Sequence, residues 1–328
     1  MNIKEILNNK KKPKVLIIGD VMLDTFILGK HLGKSPEGPI PLVKKNKEYS
    51  TAGAAALVAQ CVNKMGGNSF LIGGHGKDSN GAELNYKIKK NKIKNYIITS
   101  NNSVTTSKTR IFSNLKPLLR LDCEDQFKIS KKEIIKLKKK IKQKIKLSDV
   151  IIVSDYGKGF CSKEILKFII KITNDFKIPL LIDTRKNAKD FNIYRKSYCI
   201  KPNFFEAKSI YKSLKKNDKS LKKCSLLFKK KYKLKNVIIT LGQDGSTLLD
   251  EKNEFYHFKD KVRKNIDVTG AGDNFISALA VLLSLTKNLK IASNISNKLS
   301  GIAVEKFGTY AVTKEIFYSE IKKQPDNI

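Results

Sequence analysis

KVLIIGD, Lys14 to Asp20, is a short run of apolar and β-branched residues that ends on a glycine and a carboxylate. Its apolar positions do not alternate, which predicts a strand covered on both faces, as in a parallel sheet. Runs of the same kind recur at Phe70–Gly74 (FLIGG), Asp149–Asp155 (DVIIVSD), Ile178–Thr184 (IPLLIDT), Ser197–Asn203 (SYCIKPN) and Asn236–Gly242 (NVIITLG). Helical patterns separate them. Ser130-Lys131-Lys132-Glu133 reads as a capping box. It opens a helix with Ile134, Leu137, Ile141 and Ile145 on one face. Ser162 precedes EILKFIIKI in the same way. Strand and helix in alternation predict an α/β fold: a doubly wound, mainly parallel sheet flanked by helices on both faces.

Two segments break this rhythm. Thr25 to Ser50 is rich in Gly, Pro and Lys around KSPEGPIPLVKK. Asn95 to Asp122 contains NYIITSNNSVTTSKTRIF and LLRLD, which read as antiparallel strands. Together they predict a small β-sheet lid standing off one main domain over 12–318, with tails at 1–11 and 319–328. A length of 328 residues and 41% apolar residues allow a core of that size. No run of about 18 uncharged apolar residues predicts a membrane span, and Met1 to Pro13 lacks the apolar centre of a signal peptide. Five cysteines stand singly, without a C-x-x-C pair, which reads as a reduced, cytoplasmic protein with no zinc knuckle. The net charge of +36 raises the question of nucleic acid. The lysines are spread along the chain, on apparent helix faces and without interleaved aromatics. A lysine-biased composition accounts for them, and no nucleic-acid partner is expected. The positive field would still attract an anionic substrate.

In an open parallel sheet, ligands bind beyond the carboxyl ends of the strands. Asp20, Asp24, Asp155, Asp183, Asn203 and Thr240 fall at or just after such ends. Two phosphate motifs fail. LGKHLGKS, Leu28 to Ser35, has the Gly-Lys-Ser of a P-loop but carries its first glycine one place late. After KVLIIGD comes VMLDTF, which contains no glycine for a dinucleotide fingerprint. Gly270-Ala271-Gly272-Asp273 remains, at the start of a long apolar run. The first N–H groups of a helix have no intrahelical partners, and the dipole points its positive end there. Bare glycines let an anion approach. Asp273 repels phosphate, so it suits a base that takes a proton from an attacking hydroxyl. It equally suits a carboxylate that complements the helix dipole. The stretch alone supports both.

The stretch Asp267-Val268-Thr269-Gly270-Ala271-Gly272-Asp273 resembles the D-T-x-G-A-G-D signature of the ribokinase-like (PfkB) sugar kinases. Asn203-Phe204-Phe205-Glu206 resembles the family's N-x-x-E. Thr240-Leu241-Gly242-Gln243-Asp244-Gly245 resembles its T-x-G-x-x-G. Asn297 and KFGT, Lys306 to Thr309, resemble the late segments around the adenine. Within the family, GDVMLD, SPEGPIPLV, TTSKTRIF with LLRLD, SDYGKG and LIDTRK resemble the branch that phosphorylates D-glycero-D-manno-heptose 7-phosphate at O1. That kinase occurs alone or fused to an adenylyltransferase. The H-x-G-H of the latter is not found here, so a separate adenylyltransferase acting on the product is expected.

The resemblance implies a ribokinase-like fold and ATP-dependent phosphoryl transfer with Mg²⁺. It implies that Asp273 is the base, and that the backbone N–H groups of Gly270, Ala271 and Gly272 hold the developing charge. Asn203 and Glu206 would reach the metal through water. Thr240, Gly242, Gly245, Asn297 and Gly308 would bind the nucleotide. Asp20, Asp24 and Gly53 would face the sugar, with Asp183 on the substrate side. The two leading aspartates also read as loop caps. Lys108, Arg110, Arg120, Lys158 and Arg185 would hold the substrate's own phosphate; each also reads as an ordinary surface charge among 66 basic residues. A homodimer through the lid is a further expectation. The chain departs from the family at G-G-A-A-N, here Gly53-Ala54-Ala55-Ala56-Leu57, and at LIDPK, here LIDTR. The first departure leaves the sugar open. A kinase for another sugar is the alternative, and a basic nucleic-acid-binding protein without catalysis is the rival of another class.

Overall fold

Residues 12–114, 116–184, 188–260 and 266–323 are described by a computed structural model. The expected tail at 1–11 and Arg185 lie outside the described residues, as does the end of the second tail. In chain order the first half comprises β1 (Lys14–Gly19), β2 (Val21–Lys34), β3 (Pro41–Ala54), α1 (Ala55–Lys64), β4 (Asn68–Gly76), α2 (Ser79–Lys90), β5 (Lys94–Ser100), β6 (Ser107–Ser113), β7 (Lys116–Cys123) and α3 (Lys131–Ile145). Then follow β8 (Val150–Asp155), α4 (Lys163–Asp175), β9 (Leu180–Thr184), β10 (Cys199–Ile200), α5 (Phe204–Ile210), α6 (Asp218–Tyr232), β11 (Asn236–Thr240), β12 (Ser246–Leu249), β13 (Phe255–Phe258), α7 (Ala271–Thr286), α8 (Leu289–Ala303) and α9 (Lys314–Lys322).

The large sheet has the order β13-β12-β11-β10-β9-β8-β1-β4-β5. From β11 to β5 every pairing is parallel, and β12 and β13 close one edge as an antiparallel hairpin. Strand β1 lies at the centre and is buried on both faces, as its unbroken apolar run requires. Val15 and Ile17 pack on one face with α1, α7 and α8. Leu16 and Ile18 pack on the other with α3, α4 and α6. The chain builds outward from β1 to β4 and β5 on one side, then returns to β8 and builds outward through β9, β10 and β11 on the other. The order reverses between β1 and β8, and a crevice opens beyond their carboxyl ends. Helix α7 is buried at every residue from Asp273 to Thr286. It is apolar all round because it lies between the sheet and the outer helices. Among the described residues no helix is long and apolar enough to cross a membrane.

A second sheet, β3-β2-β6-β7, forms the lid. Its β2–β3 and β6–β7 pairs are antiparallel, while β2 and β6 run parallel. Here the sequence expectation needs correction. The stretch NYIITS belongs to β5, which pairs with β4 at the edge of the large sheet and takes no part in the lid. An edge strand covered on one side alternates much as a lid strand does, so the pattern could not separate them. Partners across a sheet point the same way. The lid's inner face therefore carries one row of Asp24, Lys108 and Asp122 and a next row of Phe26, Arg110 and Arg120. Phe26 stacks on Tyr49 with ring centres 5.0 Å apart, and Phe112 meets Phe307 edge-on, seating this face on the main domain.

Candidate active site

Gly270 opens α7 in the left-handed region, at φ 82°, and no side chain among the described residues caps the helix. Two constraints demand glycine: the positive φ, and Leu57 Cδ2, which would stand 3.1 Å from an added Cβ. Asp267 shapes the turn before it. Its Oδ1 accepts from Thr269 N at 2.9 Å and its Oδ2 from Gly308 N at 3.1 Å. Asp273 follows in the first turn, only 4% exposed, where the helix dipole favours a negative charge. Tyr156 Oη donates to Asp273 Oδ1 at 3.0 Å.

On one side of this turn lies a cavity of about 540 Å³. Asp183, Lys201, Asn203, Glu206, Thr240, Gly242, Gly245, Ala271, Gly272 and Asn297 line it. The structure thus gathers the expected nucleotide residues, and it moves Asp183 among them, away from the substrate side. Lys201 Nζ meets Asp183 Oδ1 at 2.9 Å, and each side chain is 5% exposed. Asp183 Oδ2 is buried with no hydrogen-bond partner among the described residues. Asn203 and Glu206 form a reciprocal capping box on α5. Asn203 Oδ1 accepts from Glu206 N, and Glu206 Oε2 accepts from Asn203 N, both at 2.9 Å. Asn203 Nδ2 also donates to Glu206 Oε1 at 2.8 Å. Gly245 sits at φ 86°, and a Cβ there would stand 2.0 Å from the Phe258 carbonyl oxygen. Asn297 donates to that carbonyl at 3.1 Å. Gly308 does not join the set: it lies under Tyr49 and holds Asp267.

On the other side, beneath the lid, is a cavity of about 480 Å³ lined by Arg110, Phe112, Arg120, Asp267, Val268 and Thr269 among others. Val268 borders both cavities, so they meet at the turn that leads into α7. Asp24 is paired with Arg110, Nη1 to Oδ1 at 2.6 Å. Burial raises the Asp24 carboxyl above its ordinary range, and the Arg110 charge opposes that rise. Gly53 makes room for this pair, because a Cβ would stand 2.0 Å from Asp24 Oδ2. Arg120 Nε contacts Asp122 Oδ1 at 2.9 Å. Lys108 lies 3.9 Å from the same carboxylate, and burial lowers its ammonium. Lys158 pairs with Glu124.

Asp20 does not face the sugar side as expected. It is buried, and its carboxylate accepts from three backbone N–H groups: Tyr156 at 2.8 Å, Lys158 at 3.1 Å and Phe160 at 3.1 Å. Of its two readings the loop cap is the one that forms. Burial, reinforced by the Asp155 carboxylate nearby, pushes the Asp20 carboxyl up to about 6. At the departures from the family pattern, Ala54 precedes α1 with φ 52°, a region that suits glycine, and Leu57 is buried against Gly270. Sequence reading missed Tyr156 and Lys201. The Lys-Pro-Asn step out of β10 was the only local signal for Lys201, and Tyr156 had none beyond its place in SDYGKG.

The profile of the pfkB family carbohydrate kinases matches residues 12–316. The Bifunctional protein HldE of Nitratiruptor sp. is 32% identical over 93% of this chain, which spans 64% of that relative's length. The structure of Arabidopsis thaliana ribokinase complexed with ribose and ATP superposes with a TM-score of 0.75 at 16% identity, covering 96% of this chain and all of the ribokinase. Escherichia coli phosphofructokinase-2 in complex with fructose-6-phosphate gives 0.76 at 14% identity, covering 95% of this chain and 99% of that one. These two share the ribokinase-like fold. With its nucleotide-side motifs around one cavity and the glycine turn of α7 between two, the chain belongs to the pfkB family of carbohydrate kinases, phosphotransferases with an alcohol group as acceptor.

Proposed function

We propose that this kinase transfers the γ-phosphoryl of ATP to O1 of D-glycero-D-manno-heptose 7-phosphate, a step toward the ADP-heptose of the lipopolysaccharide core. The observation that carries the reading is the meeting of two cavities at the Gly270–Asp273 turn, one lined by the nucleotide-side motifs and the other flanked by arginines. In the proposed step Asp273 takes the proton of the acceptor hydroxyl while its oxygen bonds to the γ-phosphorus. The bond from that phosphorus to the bridging oxygen breaks, and ADP leaves. Backbone N–H groups of Gly270, Ala271 and Gly272, at the positive end of α7, stabilise the charge on the moving phosphoryl group. The order is sensible electrostatically. The base sits within the first turn of the helix, while the anion would meet the N–H groups at its mouth.

The residues present fit Mg²⁺ carried in by ATP. Asp183, whose buried Oδ2 has no hydrogen-bond partner among the described residues, lines the nucleotide cavity together with Asn203 and Glu206. These are hard oxygen donors of the kind Mg²⁺ takes, and the locked Asn203–Glu206 box favours contact through water. The metal would supply charge neutralisation on the phosphates. Thr240, Gly242, Gly245 and Asn297 would position the nucleotide, and Lys201 would meet its phosphates.

On the acceptor side Asp24, seated by Gly53, would take a sugar hydroxyl. Arg110 and Arg120, with Lys108 and Lys158, would hold the 7-phosphate. The lid stretches that resemble the heptose kinase branch and the HldE relatives support this substrate. Leu121, about half exposed on the lid's outer face, supports pairing of two copies there. One observation favours a second reading, a kinase for another sugar phosphate: Leu57 presents an apolar wall beside Gly270 where the family has asparagine. ADP release with heptose 7-phosphate, ribose, fructose and fructose 6-phosphate tests both. The highest kcat/KM is expected for heptose 7-phosphate. Preference for another sugar would transfer the conclusion to the second reading.

A further inference from the structure

We infer that Tyr156 is a positioning residue for Asp273 and that Asp20 holds it in place; the inference rests on reading Asp273 as the base. The phenol reaches Asp273 from the loop after β8, at the point where the strand order reverses, and donates to Oδ1 at 3.0 Å.

The loop that carries it is fixed from below. Asp20 accepts from the N–H groups of Tyr156, Lys158 and Phe160. Asp155 Oδ1 accepts from Gly157 N at 2.9 Å, and Asp155 Oδ2 from Tyr194 Oη at 2.6 Å. The Lys158 carbonyl accepts from Phe127 N at 2.7 Å. Gly157 and Gly159 take φ of 73° and 102°, and a Cβ on Gly159 would stand 2.6 Å from Phe127 N. The position of the phenol is therefore set by the sheet ends, and the carboxylate of Asp273 is aimed by the phenol. The Asp155 carboxylate at the adjoining strand end adds to the burial that resists ionisation of Asp20. Local conflict of that kind belongs where geometry serves a site.

A single O–H donor does two things for a carboxylate base. It fixes the plane of the carboxyl group, and it stabilises the ionised form that must be present before the acceptor hydroxyl can give up its proton.

Tyr156→Phe removes one oxygen and keeps the ring. A fall in kcat of about ten- to a hundredfold is expected, the range of one hydrogen bond to a charged group. KM for ATP and for the sugar should stay within about twofold. A second readout does not need turnover. The side-chain carboxyl signal of Asp273 in ¹³C-aspartate protein, identified by its loss in Asp273→Asn, should titrate at higher pH in Tyr156→Phe than in the unaltered chain. Unchanged kcat, or a titration that does not move, overturns the inference. If no sugar is phosphorylated at all, the proposed function falls, and the titration still decides the tie. If Tyr156→Phe does not fold, fluorotyrosine at 156, a stronger donor on the same ring, should move the titration downward; no movement overturns the inference equally.

Discussion

The two sides of the α7 turn are built differently. The side proposed for the nucleotide is local: Asn203 and Glu206 cap their own helix, and Gly242 and Gly245 form one tight connection between β11 and β12. The side proposed for the acceptor is assembled over long distances. Asp24 meets Arg110 across 86 positions. A local device can be read from a few consecutive residues. A device made of distant pairs becomes visible only when the lid is placed on the sheet.

The turn between the two sides offers the largest effect. Asp273→Asn is expected to lower kcat by about 10²–10⁴-fold, the usual contribution of a positioned base. ATP binding, followed by calorimetric titration, should survive, because the nucleotide cavity does not depend on that carboxylate. Turnover near the unaltered level would remove Asp273 as base and erase the division between the sides.

A crossed pair of substitutions sharpens the comparison next. Lys201→Met leaves Asp183 as an uncompensated buried charge, and Arg110→Ala does the same to Asp24. Each should cost about 3–5 kcal/mol in urea unfolding. The kinetics should divide: KM for ATP rises in the first, KM for the sugar phosphate in the second. Equal changes in both constants would mean that the two cavities do not work as separate sites.

The smallest expected effect concerns Asp20, whose carboxyl burial raises from 3.8 to about 6. A raised carboxyl favours the folded state fully while it is protonated in both states. That advantage is lost as pH climbs from 3.8 through about 6. The stability of the unaltered chain minus that of Asp20→Asn should therefore fall by roughly 3 kcal/mol across this window. Urea unfolding at a series of pH values measures it. A flat difference would mean that the loop tie is formed without strain on the carboxylate.

The sheet was legible because β1, β8, β9 and β11 are covered on both faces, and such strands announce themselves as unbroken apolar runs. Strand β5 is not separable from a lid strand in sequence, because an edge strand carries the alternating pattern of either place. Asp20 and Asp24 look alike in sequence, each a carboxylate after a strand. Only the fold shows that one is surrounded by backbone donors and the other by a guanidinium. Lys201 was hidden by composition, one ammonium among many, until burial singled it out. Tyr156 was hidden by distance, since its partner stands 117 positions away.

The root of the lid has a mechanical consequence. β1 passes into β2 through Asp20 alone, and β3 passes into α1 with no residue between them. The lid is thus a cantilever clamped in the crevice beyond β1 and β8, not a flap on a free hinge. Its ladder is regular from Val21 to Leu28 and loses register between Leu28 and Gly29 and again between His31 and Gly33. Bending concentrates in that outer span, where the pairing is weakest. A load applied at the tip therefore flexes the far half, while the clamped half delivers it as a small twist to the strand that carries Asp24.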